Sequence, residues 1–190
     1  MSEYQYYEFQ AVDRPLTERE KREVRAYSSR ATITSTRFVN HYNWGDFKGN
    51  PSAWIEKYFD AFLYLANWGT HRLMLRVPAR ALDLKTARLY CTGESASARA
   101  KRGFTILEFY SDDEERSDWD DDGSGWLSSL LPVRADVAAV SLAQGSEHPE
   151  RIEQEDKKTR RWRVGSDSLT SLLLVFSSSC ESHSGYNVIA

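Results

Sequence analysis

Aromatic side chains are concentrated in one stretch of this 190-residue chain, and that stretch limits the folds the chain can adopt. Ten of the 24 aromatic residues lie between Phe38 and Trp68. Two copies of Asn-Trp-Gly, at 43–45 and 67–69, lie near its ends, and His41 and His71 each lie two residues outside a copy. Because aromatic side chains bury the largest area per residue, this stretch predicts either a domain core or a binding surface.

Length and composition favour one domain that folds without disulfide or metal staples. A formal net charge of −3 gives no global argument for binding nucleic acid or an anionic membrane. The N-terminus lacks the basic start and apolar run of a signal peptide, and the late apolar run 172–176 is too short to span a membrane. Cys91 and Cys180 allow one disulfide but no disulfide framework. We therefore expect a soluble, cytoplasmic protein with no membrane partner and no cofactor.

The N-terminal part predicts a strand, a capped helix and a second strand. Aromatic residues in a polar setting predict a strand over 4–9. Thr17 and Glu20 have the spacing of a capping box, so a charged helix should begin there and run to about Tyr27. Alternating β-branched residues predict one further strand over 31–39.

The aromatic stretch predicts a helix between two glycine turns. The Asn-Pro pair at 50–51 supplies an N-cap and a first helical residue. Trp54, Tyr58 and Phe62 follow at intervals of four, which places them on one face of an amphipathic helix. Residues 61–65 are apolar on all sides, so they could prolong this helix or form a strand.

The elements after the second turn are predicted from alternation. Residues 72–77 alternate aliphatic residues with Arg and Met, which predicts an edge or half-exposed strand ending at Pro78. A short helix over 79–84 and a strand over 104–110 follow. Residues 125–139 predict a helix with an internal proline.

The chain divides near residue 139. Residues 1–139 predict one α+β domain, a mainly antiparallel sheet with two or three helices packed on one face. The early alternation of strands and helices allows a βαβ start. Residues 140–190 are polar and serine-rich, so we expect a poorly specified, disordered tail. The apolar patch 169–176 within it could dock on the domain.

Two segments around the glycine turns resemble a family of uncharacterised bacterial proteins. They are FVNHYNWGDFKG at 38–49 and YFDAFLYLANWG at 58–69, and residues 125–132 also fit. The resemblance covers about residues 4–139 and implies no catalytic residues. Similar proteins continue with helical sequence where this chain departs, which implies a divergent, frame-shifted or truncated end over 140–190. Another reading frame that encodes no apolar-patterned continuation would refute a frame shift.

An acidic segment carries the closest match to a metal site. Asp118, Asp120, Asp122 and Gly123 match positions 1, 3, 5 and 6 of an EF-hand calcium loop. Ser129 stands where the bidentate glutamate should be, and a strand rather than a helix precedes the loop. A solvated acidic loop is the simpler interpretation, so we expect no bound metal.

Four residues near the turns are candidates for acid–base chemistry: His41, Asp46, Asp60 and His71. Histidine titrates near neutral pH, and a carboxylate partner can fix its tautomer. No nucleophile elbow, zinc-protease helix or phosphate-binding loop accompanies them, and their spacing is no recognised metal-ligand pattern. Hydrogen bonding to turn backbone is the simpler interpretation.

A basic run at 157–163 is a candidate for binding nucleic acid. It holds five cations and Trp162, which could contact phosphates and stack on a base. A short basic run in a polar tail is more often solvated, and the acidic segment would oppose binding. Nucleic acid is therefore not a favoured partner.

Trp44 and Trp68 suggest the preferred function. An indole on a glycine turn is hard to bury, because its N–H needs a partner, and exposed aromatics are typical interface anchors. The sequence therefore predicts a non-catalytic protein-interaction or assembly module. The alternative is an enzyme of unknown class with an acid–base site near His41, Asp46 and His71. An enclosed pocket joining those three side chains would favour the enzyme.

Overall fold

A computed structural model describes residues 4–91, 95–112, 123–132 and 134–135. The strands within them are Gln5–Gln10 (β1), Thr32–Ile33 (β2), Arg37–Tyr42 (β3), Ala61–Ala66 (β4), Thr70–Pro78 (β5), Ala96–Lys101 (β6) and Phe104–Asp112 (β7). The helices are Glu18–Arg25 (α1), Pro51–Lys57 (α2), Leu84–Tyr90 (α3) and a segment we name α4, residues 126–132 and 134–135. Among these described helices, none is long and apolar enough to cross a membrane.

The strands form one sheet in the order β2-β3-β1-β4-β5-β7-β6, and every described pair is antiparallel. The predicted antiparallel α+β class is thereby confirmed. β1 and β2 are both antiparallel to β3, so they run in the same direction with β3 between them. The predicted βαβ start therefore exists only in a split form, because β3 lies between the parallel strands β1 and β2 and they do not pair with each other.

Each face of the sheet carries its own core, because successive strand residues point to opposite faces. The leucine face is defined by Leu63, Leu65, Leu73 and Leu75, and the aromatic face by Phe9, Phe38, Phe62 and Met74. The helices lie on both faces rather than on one. The helical residues that pack on the leucine face are Ala87, Leu127 and Leu130, and those on the aromatic face are Val24, Trp54 and Ile55.

Local signals at helix starts are confirmed. Thr17 and Glu20 form both hydrogen bonds of the capping box at the start of α1. The side chain of Asn50 accepts a hydrogen bond from the Ala53 N–H at the start of α2, and Pro51 is its first residue. Asp83 caps α3, which therefore begins at Leu84 rather than at residue 79.

Several element boundaries differ from the prediction because tertiary packing overrides the local pattern. Residues 31–39 do not form one strand, since the Thr34 N–H donates to the Arg37 carbonyl in a turn between β2 and β3. α2 ends at Lys57, and residues 61–66 form β4. Tyr58 and Phe62 still join Trp54 in the core of the aromatic face. The regular spacing of these three aromatic residues therefore reflects their burial in one core, although Trp54 lies in α2 and Phe62 lies in β4.

β5 is a central strand, whereas its alternation predicted an edge or half-exposed strand. Its arginines are paired within the sheet, because Arg72 pairs with Glu108 and the largely buried Arg76 pairs with Asp60. β6 was not predicted, since its sequence lacks β-branched and aromatic residues. Arg102 and Gly103 both have positive φ, 51° and 82°, which is the two-residue turn that joins β6 to β7.

Buried Asp60 joins distant parts of the chain where β4 begins. One carboxylate oxygen accepts hydrogen bonds from the Val12 and Asp13 N–H groups. The other accepts from Arg76 Nε at 3.0 Å and Arg76 Nη2 at 2.6 Å. Arg134 of α4 donates to the Arg76 carbonyl and to both carboxylate oxygens of Asp13. The cluster therefore fastens α4 to one end of β1, β4 and β5.

We predict that Asp60→Asn lowers the free energy of unfolding by about 3–5 kcal/mol, because it leaves the buried Arg76 guanidinium without its counter-ion. Urea denaturation measures the loss. Glu18→Gln is the matched control, since Glu18 is 77% exposed in its pair with Lys21 and should change stability by less than about 0.5 kcal/mol. Equal effects of the two substitutions would contradict this role of Asp60.

The capping box should make α1 sensitive to acid. Hydrogen bonds from Arg14, and then from Thr17, lower the pKa of Glu20 to about 2. Because the folded pKa lies below the unfolded one, the stabilisation is complete above about pH 4.3 and is lost as the pH falls toward 2. We expect Glu20→Gln to cost about 1 kcal/mol at neutral pH and progressively less as the pH falls through about 2. Urea midpoints for both proteins across this range test this, and a pH-independent difference would refute it.

Candidate functional site

The two Asn-Trp-Gly turns lie at the same end of the sheet. Gln5, at the start of β1, pairs with Tyr42 at the end of β3 and with Ala66 at the end of β4. The turns follow those two strands directly, on either side of β1. With strands about 4.8 Å apart, β3 and β4 are separated by about 10 Å. We name residues 43–46 and 67–69 the turn end of the sheet.

Gln5 holds the first turn in place. Its side-chain nitrogen donates to the Gly45 carbonyl at 2.9 Å and to Asp46 Oδ1 at 3.1 Å. Its side-chain oxygen accepts from the hydroxyls of Tyr7 and Tyr64, at 3.0 and 3.2 Å. Burial, together with the charge of Asp46, raises the pKa of Tyr7 to about 12, and burial also raises the pKa of Tyr64. Both hydroxyls therefore remain protonated donors. The Gln5 side chain donates two hydrogen bonds and accepts two, and in this way it clamps the first turn to β1.

Backbone contacts from Tyr4 hold the second turn. The Tyr4 N–H donates to Asn67 Oδ1 at 2.9 Å, and the Asn67 N–H donates to the Tyr4 carbonyl at 3.0 Å. Gly45 and Gly69 have φ of 74° and 95°, which glycine adopts without strain. Both turns are thus fixed relative to β1.

The tryptophans of these turns are among the exposed large hydrophobic residues of the described chain. Trp44 is 70% exposed and Trp68 is 37% exposed. The guanidinium carbon of Arg30 lies 5.3 Å from the centre of the Trp44 ring, within the range of a cation–π contact. The turn end therefore carries an open aromatic patch with a positive charge beside it.

The two candidate histidines share a row across the leucine face. Tyr6 pairs with both His41 and Leu65, and Leu65 pairs with His71. His41 and His71 are therefore three strands apart, about 14 Å by strand spacing. His41 is exposed, and its Nδ1 lies 2.7 Å from the Tyr4 hydroxyl, whereas His71 is buried.

The carboxylate candidates do not join those histidines. Asp46 accepts from Gln5, whose side chain lies with Tyr7 on the aromatic face, so the sheet separates it from His41 and His71. Asp60 belongs to the ion cluster at the opposite end of β1. The structure thus brings the turns of Trp44 and Trp68 together at one sheet end but does not assemble the proposed acid–base set.

Metal and thiol chemistry find little support in the described residues. No group of three His, Cys, Asp or Glu side chains there could hold a metal ion. Cys91 is a free thiol, and burial raises its pKa. The calcium-loop candidates Asp118, Asp120 and Asp122 lie outside the described residues, as do Cys180 and the basic run at 157–163.

Gln5 and Arg30 were not predicted from the sequence as site residues. Gln5 precedes Tyr7 and Phe9 at intervals of two, so its position in line with core aromatics could have indicated a buried hydrogen-bonding residue. No local sequence pattern indicated Arg30, because its approach to Trp44 depends on the pairing of β2 with β3.

Comparisons with protein-family models, curated proteins and solved structures found no match to this chain.

We predict that Gln5→Ala loosens the first turn selectively. The substitution removes the acceptor that the hydroxyls of Tyr7 and Tyr64 share and leaves them only their contact with each other, which should cost about 1–3 kcal/mol. Hydrogen exchange should accelerate in residues 43–47 and stay slower in 67–69, which Tyr4 holds. Gln10→Ala, at the other end of β1, is the control. Equal acceleration in both turns would contradict the clamp.

Proposed function

We propose that this protein is a non-catalytic protein-interaction module that binds its partner through the turn end of the sheet. The observation that carries the proposal is the 70% exposure of Trp44 on a turn that Gln5 clamps. A large apolar side chain held in water by rigid backbone gains free energy when a partner covers it.

The composition of the patch supports a protein partner. Tryptophan and arginine are enriched among the residues that dominate binding energy at protein interfaces, and Arg30 lies over the Trp44 ring. The positive charge of Arg30 favours a partner with an apolar pocket and a carboxylate at its rim. A net charge of −3 over the whole chain gives no comparable support to a polyanionic partner.

The fixed geometry also favours binding. Both turns are hydrogen-bonded to β1 before any partner arrives, so little conformational entropy is lost when the tryptophans are covered. A spacing of about 10 Å between β3 and β4 lies well within one standard protein interface, which buries about 800 Å² per partner. One partner surface can therefore contact Trp44 and Trp68 together.

The enzyme alternative stays a hypothesis with less support. Its three residues, His41, Asp46 and His71, lie on two faces of the sheet and do not converge. General acid–base catalysis requires the acid and base to reach one substrate within hydrogen-bonding distance.

Affinity capture with the immobilised full chain tests the interaction module. We predict that the double substitution Trp44→Ala and Trp68→Ala reduces capture of the specific partner by at least about tenfold, because it removes both anchors. Leu89→Ala is the matched control, since Leu89 is 69% exposed on α3. Quantitative mass spectrometry of the captured proteins gives the ratio, and a urea midpoint verifies that the double variant is folded. Equal capture by the wild type and the double variant would reject the proposal.

A further inference from the structure

β6 forms one edge of the sheet, and its outer side pairs with no strand in the part of the chain that the structure describes. It is paired along its whole length with β7, from Ala96 opposite Phe109 to Lys101 opposite Phe104. A regular edge strand of this kind offers backbone donors and acceptors to an added strand.

The hydrogen-bond pattern identifies the backbone groups that point outward. The Tyr110 N–H donates to the Ser95 carbonyl, so these two residues form a hydrogen-bonded pair. Hydrogen-bonded pairs alternate along an antiparallel ladder, so Ser97, Arg99 and Lys101 direct their backbone groups toward β7. The N–H and carbonyl groups of Ala96, Ala98 and Ala100 therefore point away from the sheet.

The side chains of β6 divide sharply between the two faces. On the leucine face β6 presents three small residues, Ala96, Ala98 and Ala100, and on the aromatic face it presents Ser97, Arg99 and Lys101. Arg99 is 34% exposed beside Glu108, and Lys101 is 53% exposed and 4.0 Å from Glu56. The edge therefore combines small apolar side chains on one face with an excess of positive charge on the other, since Glu108 is shared by Arg72 and Arg99.

We propose that β6 is a docking strand for an extended protein segment that alternates acidic and apolar residues. Such a segment adds an eighth strand, hydrogen-bonded to the outward groups of Ala96, Ala98 and Ala100. Its acidic side chains then lie beside Arg99 and Lys101, and its apolar side chains lie beside the alanines. This surface is separate from the turn end, so it extends the proposed function to a second partner site.

Charge argues against a second copy of this chain as the occupant. Symmetric pairing of β6 with β6 places Arg99 and Lys101 of both copies on one face of the joined strands. Glu108 and Glu56 offset only part of this charge, because Glu108 is shared between Arg72 and Arg99, and Lys101 lies 4.0 Å from Glu56. β6 itself has no carboxylate, and like charges on neighbouring strands destabilise pairing. An acidic partner strand removes that repulsion.

Peptide titration of the full chain tests the proposal. The probe is an eight-residue peptide that alternates glutamate and valine, capped at both ends, and the matched control alternates lysine and valine. We expect the acidic peptide to bind at least about tenfold more tightly by fluorescence anisotropy. Lys101→Glu should weaken the acidic peptide and strengthen the basic one. Equal binding of the two peptides, or self-association of the wild type without peptide binding, would overturn the proposal.

A second pair of variants tests the backbone contact. Ala98→Pro removes an outward N–H that β7 does not use, so it should reduce acidic-peptide binding about tenfold, while Ala98→Val retains binding. N-methylation of alternate residues in the peptide, on the side that faces β6, should abolish binding without altering the protein. Unchanged binding of the N-methylated peptide would also overturn the proposal. Trp44→Ala with Trp68→Ala should leave peptide binding intact, which separates this site from the turn end.

Discussion

The pairing of β1 with both β3 and β4 is the interaction on which the rest of the structure depends. It places two turns that are 24 residues apart in the chain at one end of the sheet. It also divides the aromatic residues between a buried core and an exposed patch, because Tyr7 and Phe9 face inward while the strands on either side lead into Trp44 and Trp68. The proposed interaction surface exists because of this register.

Buried polar side chains fix that register at both ends of β1. Gln5 satisfies the tyrosine hydroxyls and the first turn at one end, and Asp60 satisfies two backbone N–H groups and Arg76 at the other. A buried polar group without its partners is costly, so a shifted pairing would leave each of these groups unsatisfied. A one-residue slip would also exchange the two faces of the sheet. These hydrogen bonds hold the first turn against β1, and the Tyr4 backbone holds the second.

Sequence patterns predicted the features that depend on neighbouring residues. The capping box of Thr17 and Glu20, the N-cap at Asn50 and the glycine turns are set within a few residues, and each formed as expected. The central position of β5 depends on its pairing with β7, which begins 26 residues after β5 ends, so periodicity alone could not establish it. β6 lacks the β-branched and aromatic residues that indicate a strand. At the candidate site, glycine turns indicated exposed tryptophans, but nothing local indicated that the turns meet. Register across β1 decides that, and register is a tertiary property.

The central claim is that the two tryptophan turns form one surface because β1 lies between β3 and β4. Cross-strand nuclear Overhauser effects between backbone protons test this directly, since paired strand residues lie within about 5.5 Å. We predict contacts from Tyr6 to both His41 and Leu65 in the same spectrum. Contacts from Tyr6 to one of these residues without the other, or a pairing shifted along β1, would contradict the account.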